Sequence, residues 1–148
     1  MNVVAVIKQK TVRVVSIGRV FIQNNGGGGT TLLTHPAAMD LGGHRIVVLD
    51  SDGRAIYADN ATIEHASILL GLTTGAASSG SDATIQPFGE IVEPSWSWAL
   101  NEPVFLGANG LLTQVVPEPG DSAAFQVIVG FPLSATSLFI RIDEPILL

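Results

Sequence analysis

Apolar positions in this chain fall in short runs rich in Val and Ile, separated by Gly, Pro, Asn and Asp. Such runs fit strands better than helix, because β-branched side chains pack well on a pleated surface and lose rotamer freedom in a helix. Val3 to Ile7 is one continuous apolar run. Val12, Val14, Val15, Ile17, Val20, Phe21 and Ile22 make a second, interrupted by Gly18. Gln23 to Gly29 (QNNGGGG) reads as a flexible turn or loop, since four successive glycines carry a high ordering cost. Thr30 to Thr34 returns as a strand, and His35-Pro36 should break it.

The pattern continues with a strand over His44 to Leu49, a turn at Asp50-Ser51-Asp52-Gly53 and a return strand over Arg54 to Tyr57, together a hairpin. One helix is expected. Asn60 is placed to N-cap a segment from Ala61 to about Leu70 with Glu64 in its first turn, and Gly71 would end it. A strand over Ser67 to Leu70 competes with that helix. Thr73 to Asp82 (TTGAASSGSD) is a loop or linker. Strands are then expected over Ala83–Gln86, Phe88–Val92, Ser95–Leu100, Val104–Leu106, Leu111–Val116, Phe125–Val129, Ser137–Ile142 and Ile146–Leu148. Asn109-Gly110 is the strongest hairpin signal, because a type I′ turn needs positive φ at both central positions.

These elements imply a mainly β fold of small β-sandwich or barrel-like lobes with at most one short helix. The expected division is an N-terminal lobe or arm over 1–72, a Gly/Ser/Ala linker or loop over 73–82 and a C-terminal lobe over 83–148.

Composition sharpens the picture. Of 148 residues, 47% are hydrophobic and only 14% charged, against a usual charged share of roughly 25%. That bias is the opposite of a disordered chain and suggests faces covered by neighbours. The net charge is −6, and the densest cations, Lys8, Lys10, Arg13 and Arg19, are spread along an apparent strand. No nucleic-acid partner is expected, since phosphate contacts supply most of that affinity. The chain has no cysteine, which removes disulfides, thiolate nucleophiles and Cys-ligated zinc. Met1 to Lys10 does not read as a signal peptide, and no apolar stretch reaches membrane-spanning length; a soluble chain without a membrane partner is expected.

The second half resembles β-rich modules of tailed-phage structural proteins, head decoration (cement) proteins among them. The resemblance rests on His65–Ala77 (HASILLGLTTGAA), Phe88–Ile91, Trp96–Trp98 and, most specifically, Asn101–Gln114 (NEPVFLGANGLLTQ). It continues through Phe125–Ile142 (FQVIVGFPLSATSLFIRI), with a turn at Gly130 and Ser134-Ala135-Thr136, and closes on Asp143–Leu148 (DEPILL). It implies a virion component on the capsid surface, assembled in the host cytoplasm and commonly trimeric. The partner it implies is the major capsid protein, with a second decoration or fibre protein beside it. Fibre, spike and tail-associated modules that bind host carbohydrate share the pattern and form the alternative.

No catalytic, cofactor or metal site is read from the residues. His35, His44 and His65 show no metal-ligand spacing and would have to converge with Asp40, Asp50 or Glu64. Asp50, Asp52 and Gly53 resemble the start of a calcium loop, but Ala61 stands where its last glutamate belongs. No Gly-Lys-Ser/Thr follows the glycine run, no serine lies in G-x-S-x-G, and Asp143-Glu144 are adjacent before a proline. Trp96 and Trp98, at i and i+2 of an expected strand, would share one face and fill a core or an interface, or stack a sugar ring. Leu111, Leu112, Phe125, Phe131 and Phe139 are expected in the core. The residues expected at an interface are Val3, Val4, Ala5, Ile7, Trp96, Trp98, Phe105, Leu147 and Leu148.

Overall fold

The computed structural model describes residues 31–148 and, before them, two short antiparallel strands, β1 (Val14–Val15) and β2 (Arg19–Val20). The expected strand at Val3–Ile7, with its interface residues Val3, Val4, Ala5 and Ile7, and the Gly26–Gly29 loop lie outside the described residues.

The fold is mainly β, as expected, with two five-stranded antiparallel sheets. The first contains β3 (Leu33–Pro36), β4 (Ile46–Leu49), β5 (Ala55–Tyr57), β6 (Gly71–Thr73) and β7 (Asp82–Gln86), in the order β3-β7-β6-β4-β5. The second contains β8 (Phe88–Val92), β9 (Val104–Leu106), β10 (Leu112–Thr113), β12 (Ile128–Ser134) and β13 (Ser137–Arg141), in the order β10-β9-β12-β13-β8. Between β10 and β12 lies β11 (Phe125–Gln126), which pairs with the last strand, β14 (Ile146–Leu147).

The inner faces of the two sheets share one core. Ile46, Val48 and Leu72 from the first sheet meet Val104, Leu106, Val129, Leu138 and Ile140 from the second, with Phe125 and Val127 closing one side. Every one of these is 2% exposed or less. Burying each such side chain contributes about 1.5–3 kcal/mol. The first sheet also has a packed outer face. Val47, Ala55, Ala83 and Ile85 sit there under Ala37 and Leu41, with Leu49, Tyr57 and Leu70 around them. Both faces of β4 are therefore apolar, which is why its sequence, IVVL, is continuous rather than alternating.

Several expectations change at this level. The boundary placed at 73–82 falls inside the first sheet: β7 follows that segment and pairs with both β6 and β3. His35-Pro36 does not break β3 but ends it, with Pro36 opposite Asp82. The sheet tolerates the proline because β3 is an edge strand. The helix expected over 61–70 is a short 3-10 turn, Ile63–Ser67, preceded by Thr62. Asn60 is not its cap. It is buried at 8% exposure, its Nδ2 donates to the Leu106 carbonyl, and its own carbonyl accepts from the Ala124 and Phe125 amides. Gly71 opens β6, since a Cβ there would stand 2.5 Å from the Gln86 carbonyl oxygen. Gly130 is not at a turn but inside β12, opposite Ile140.

Two turns hold the hairpins as expected. At Asp50–Gly53, Asp50 Oδ1 accepts from the amides of Asp52 and Arg54, and Oδ2 accepts from Arg54 Nε. The Arg54 amide and the other turn donors hold the Asp50 carboxyl below its usual value. At Ala108–Leu111, Asn109 (φ 53) and Gly110 (φ 72) both take positive φ, and the Leu111 amide closes onto the Ala108 carbonyl. Gly110 also lies against the first sheet: its amide donates to Ala58, and a Cβ would stand 2.5 Å from the Ile46 carbonyl oxygen. Gly110→Ala therefore combines a steric clash with an unfavourable φ. It should lower unfolding free energy by about 3 kcal/mol in denaturant titration.

His65 carries a pH dependence. Its Nδ1 accepts from the Asp59 amide at 3.0 Å, which requires the neutral ring, and burial pushes its pKa down. A histidine with a depressed folded pKa leaves the unfolded chain binding more protons at low pH. Its contribution is complete above about 6.5 and declines as pH falls below that value. Urea melts at pH 7.5 and pH 5 should show a loss of stability on acidification that shrinks in His65→Gln.

Candidate interaction surfaces

The tryptophans do not lie on a strand. Ser95–Leu100 is a turn and loop that follows β8, so the i, i+2 argument for a shared strand face does not apply. The loop is tied down by main-chain bonds from the Trp96 amide to Glu93 and from the Trp98 amide to Ala135. The indoles still meet, 5.4 Å apart at 56°. Both pack against the shared core. The Trp98 indole Nε1–H is buried and has no acceptor among the described residues.

His44 stands edge-on to Trp96 at 5.2 Å, at a backbone φ of 58°. Its Nδ1 is 3.5 Å from Glu93 Oε2, while Glu93 Oε1 accepts from the Ser95 amide. The Ser95 amide and hydroxyl, followed by the nearby His44, hold the Glu93 carboxyl below its ordinary value. This cluster fastens the Trp loop to the first sheet's end of the core. Aromatic contact, main-chain ties and core packing give it a structural part. Trp96→Ala should therefore cost about 3–4 kcal/mol of stability by chemical denaturation; a change within about 0.5 kcal/mol would show that the ring is a free surface platform.

Other expected site residues divide. Phe105 is 6% exposed and so is not an accessible surface residue. Leu147 and Leu148 are exposed at 66% and 36%. Among residues expected inside, Phe125 is fully buried, but Leu111 is 47% exposed. Phe131 and Phe139 are half-buried and lie on the outer face of the second sheet, opposite the core side that takes Leu138 and Ile140.

Two apolar surfaces emerge from these placements. One is the outer face of the second sheet. Phe88 on β8 meets Phe139 on β13 edge-on at 5.0 Å, and Phe139 stands opposite Phe131 on β12. Arg141 covers Phe131 at 4.8 Å and pairs with Asp143 at 3.3 Å. Phe88 and Val92 remain more than half exposed, at 55% and 58%. The periodicity of β8 (FGEIV) held a signal for this face: Phe88, Glu90 and Val92 alternate with Gly89 and the core-packed Ile91.

The other surface is an open cleft of about 490 Å³ between the β9–β10 hairpin and the 115–123 loop. Leu111, Val115, Val116 and Ala123 line it with Asn60 and Asp121. Val115 is 76% exposed. β14 runs beside it: the Leu148 amide donates to Ala124, next to Ala123 in the cleft wall. The exposed Ile146 and Leu147 thus extend the same apolar end of the molecule.

Among the described residues no group of three or more His, Asp or Glu is placed to hold a metal ion, and no helix is long and apolar enough to cross a membrane. No protein-family model and no curated protein matches the chain.

Proposed function

We propose that this chain is a non-catalytic virion structural protein, a head decoration or cement protein that binds the outside of a tailed-phage capsid and bridges its capsomers. The observation that carries the reading is the apolar end formed by the cleft and β14. Leu111, Val115, Val116, Ile146 and Leu147 are all at least 47% exposed on a chain with few charges. Monomeric soluble proteins rarely leave extended apolar patches open, and such patches mark association surfaces. The major capsid protein is the partner that the resemblance of the second half supplies. Binding then acts by mass action: a ligand at free concentration c that favours the assembled shell stabilises it by RT ln(1 + c/Kd) for each site.

The carbohydrate-binding alternative drew on Trp96 and Trp98 as a strand-borne platform. Their packing against the core and the loop conformation of Ser95–Leu100 supply no support for it.

Decoration-stripped heads mixed with the purified chain should sediment with it, saturating at a fixed number of copies per shell. Leu147→Glu combined with Val115→Glu should weaken that binding at least tenfold while leaving the melting curve near wild type, because both side chains are exposed. A chain that stays in the supernatant at all concentrations, or a virion mass inventory without it on the shell, would overturn the proposal.

A further inference from the structure

We infer that the outer face of the second sheet is where two copies of this chain meet. Across β8, β13 and β12 this face presents three neighbouring rings, Phe88 diagonal to Phe139 and Phe131 directly opposite Phe139. Strands β8 and β13 carry one acid and one base on it. Glu90 lies opposite Phe139 and Arg141 lies opposite Phe88, so the charges occupy one diagonal while Phe88 and Phe139 occupy the other. Glu90 has no ion-pair partner among the described residues, whereas Arg141 leans over Phe131 toward Asp143. A face with one cation and one anion on a diagonal is complementary to itself. In a two-fold contact each residue i meets j and each j meets i. Arg141 of one copy then reaches Glu90 of the other, above stacked apolar rings.

The edge of the same sheet argues for face-to-face rather than edge-to-edge contact. The Glu93 amide bonds to Thr136 on the β13 side, so by the two-residue period the main-chain groups of Glu90 point to the free edge. There the Glu90 carbonyl is already taken by Gln86 Nε2 at 3.0 Å. This side-chain block hinders strand addition to β8.

The size of the face sets the strength. Three strands at about 4.8 Å spacing and five residues at about 3.4 Å give a footprint of roughly 14 by 17 Å. About 240 Å² per copy lies well below the roughly 800 Å² per partner of a standard stable pair, so the contact belongs with weak, concentration-dependent ones. It is distinct from the cleft surface and is read in solution without capsids, so its failure would not touch the shell proposal.

Sedimentation equilibrium of the full chain from about 10 µM to about 1 mM at low salt tests it. The mass should rise from one 15.4 kDa chain toward two. Phe88→Asp should hold the mass at one chain throughout. Glu90→Arg and Arg141→Glu should each weaken association about tenfold, and the double exchange should restore it. Thermal melts of each variant separate lost association from lost folding. A wild type that stays a single chain, or an oligomer of any size that Phe88→Asp and the charge exchanges leave unchanged, would overturn the inference.

Discussion

The structure depends on the burial of β4 on both faces. Ile46 and Val48 enter the core shared with the second sheet, while Val47 and Leu49 enter the smaller core beneath Ala37 and Leu41. A strand that is apolar on both sides does not encode its own register, since a one-residue slip exchanges one apolar set for another. The turns therefore carry that information. The Asp50 carboxylate fixes the β4–β5 hairpin through three hydrogen bonds, and Gly110 seats the β9–β10 turn against the Ile46 main chain. Asn60 adds a buried polar tie to β9 and the start of β11.

The second sheet is built the other way. Its inner face completes the core, and its outer face keeps aromatic rings at the surface with Arg141 laid across one of them. The molecule thus has a closed half, where loops cover the first sheet, and an open half with the aromatic face and the cleft. In the proposed role, copies held side by side on a shell would experience a high effective concentration of one another. Contacts too weak to give a stable pair in dilute solution would then add to the binding of each copy. The two surfaces would cooperate in this way without any change of shape.

Much of the architecture was legible in the order of residues, because apolar runs bounded by turn chemistry report strands directly. The Asp50–Gly53 and Asn109-Gly110 turns were readable since their local chemistry, an acceptor side chain and positive φ, decides them. Tertiary contacts decided what was missed. Asn60 resembles a helix cap, but the pull of Leu106 and Ala124 on its side chain and carbonyl takes it into the core. The 73–82 stretch has linker composition, yet β7 beyond it returns to β3 and β6, a long-range pairing that local composition does not encode. Trp96 and Trp98 alternate as a strand would, but no partner strand among the described residues reaches them. Aromatic residues usually lie inside, which favours a core place for Phe131 and Phe139, but the register with Leu138 and Ile140 in the core turns them outward.

In the proposed role, the open half of the molecule is covered by neighbours on a particle. Cryo-electron microscopy of capsids carrying the full chain tests it most directly. Regular density is expected at three-fold or quasi-three-fold positions, with the end containing Val115 and Leu147 against the shell. Density confined to the tail, or copies on the shell with that end facing solvent, would contradict it.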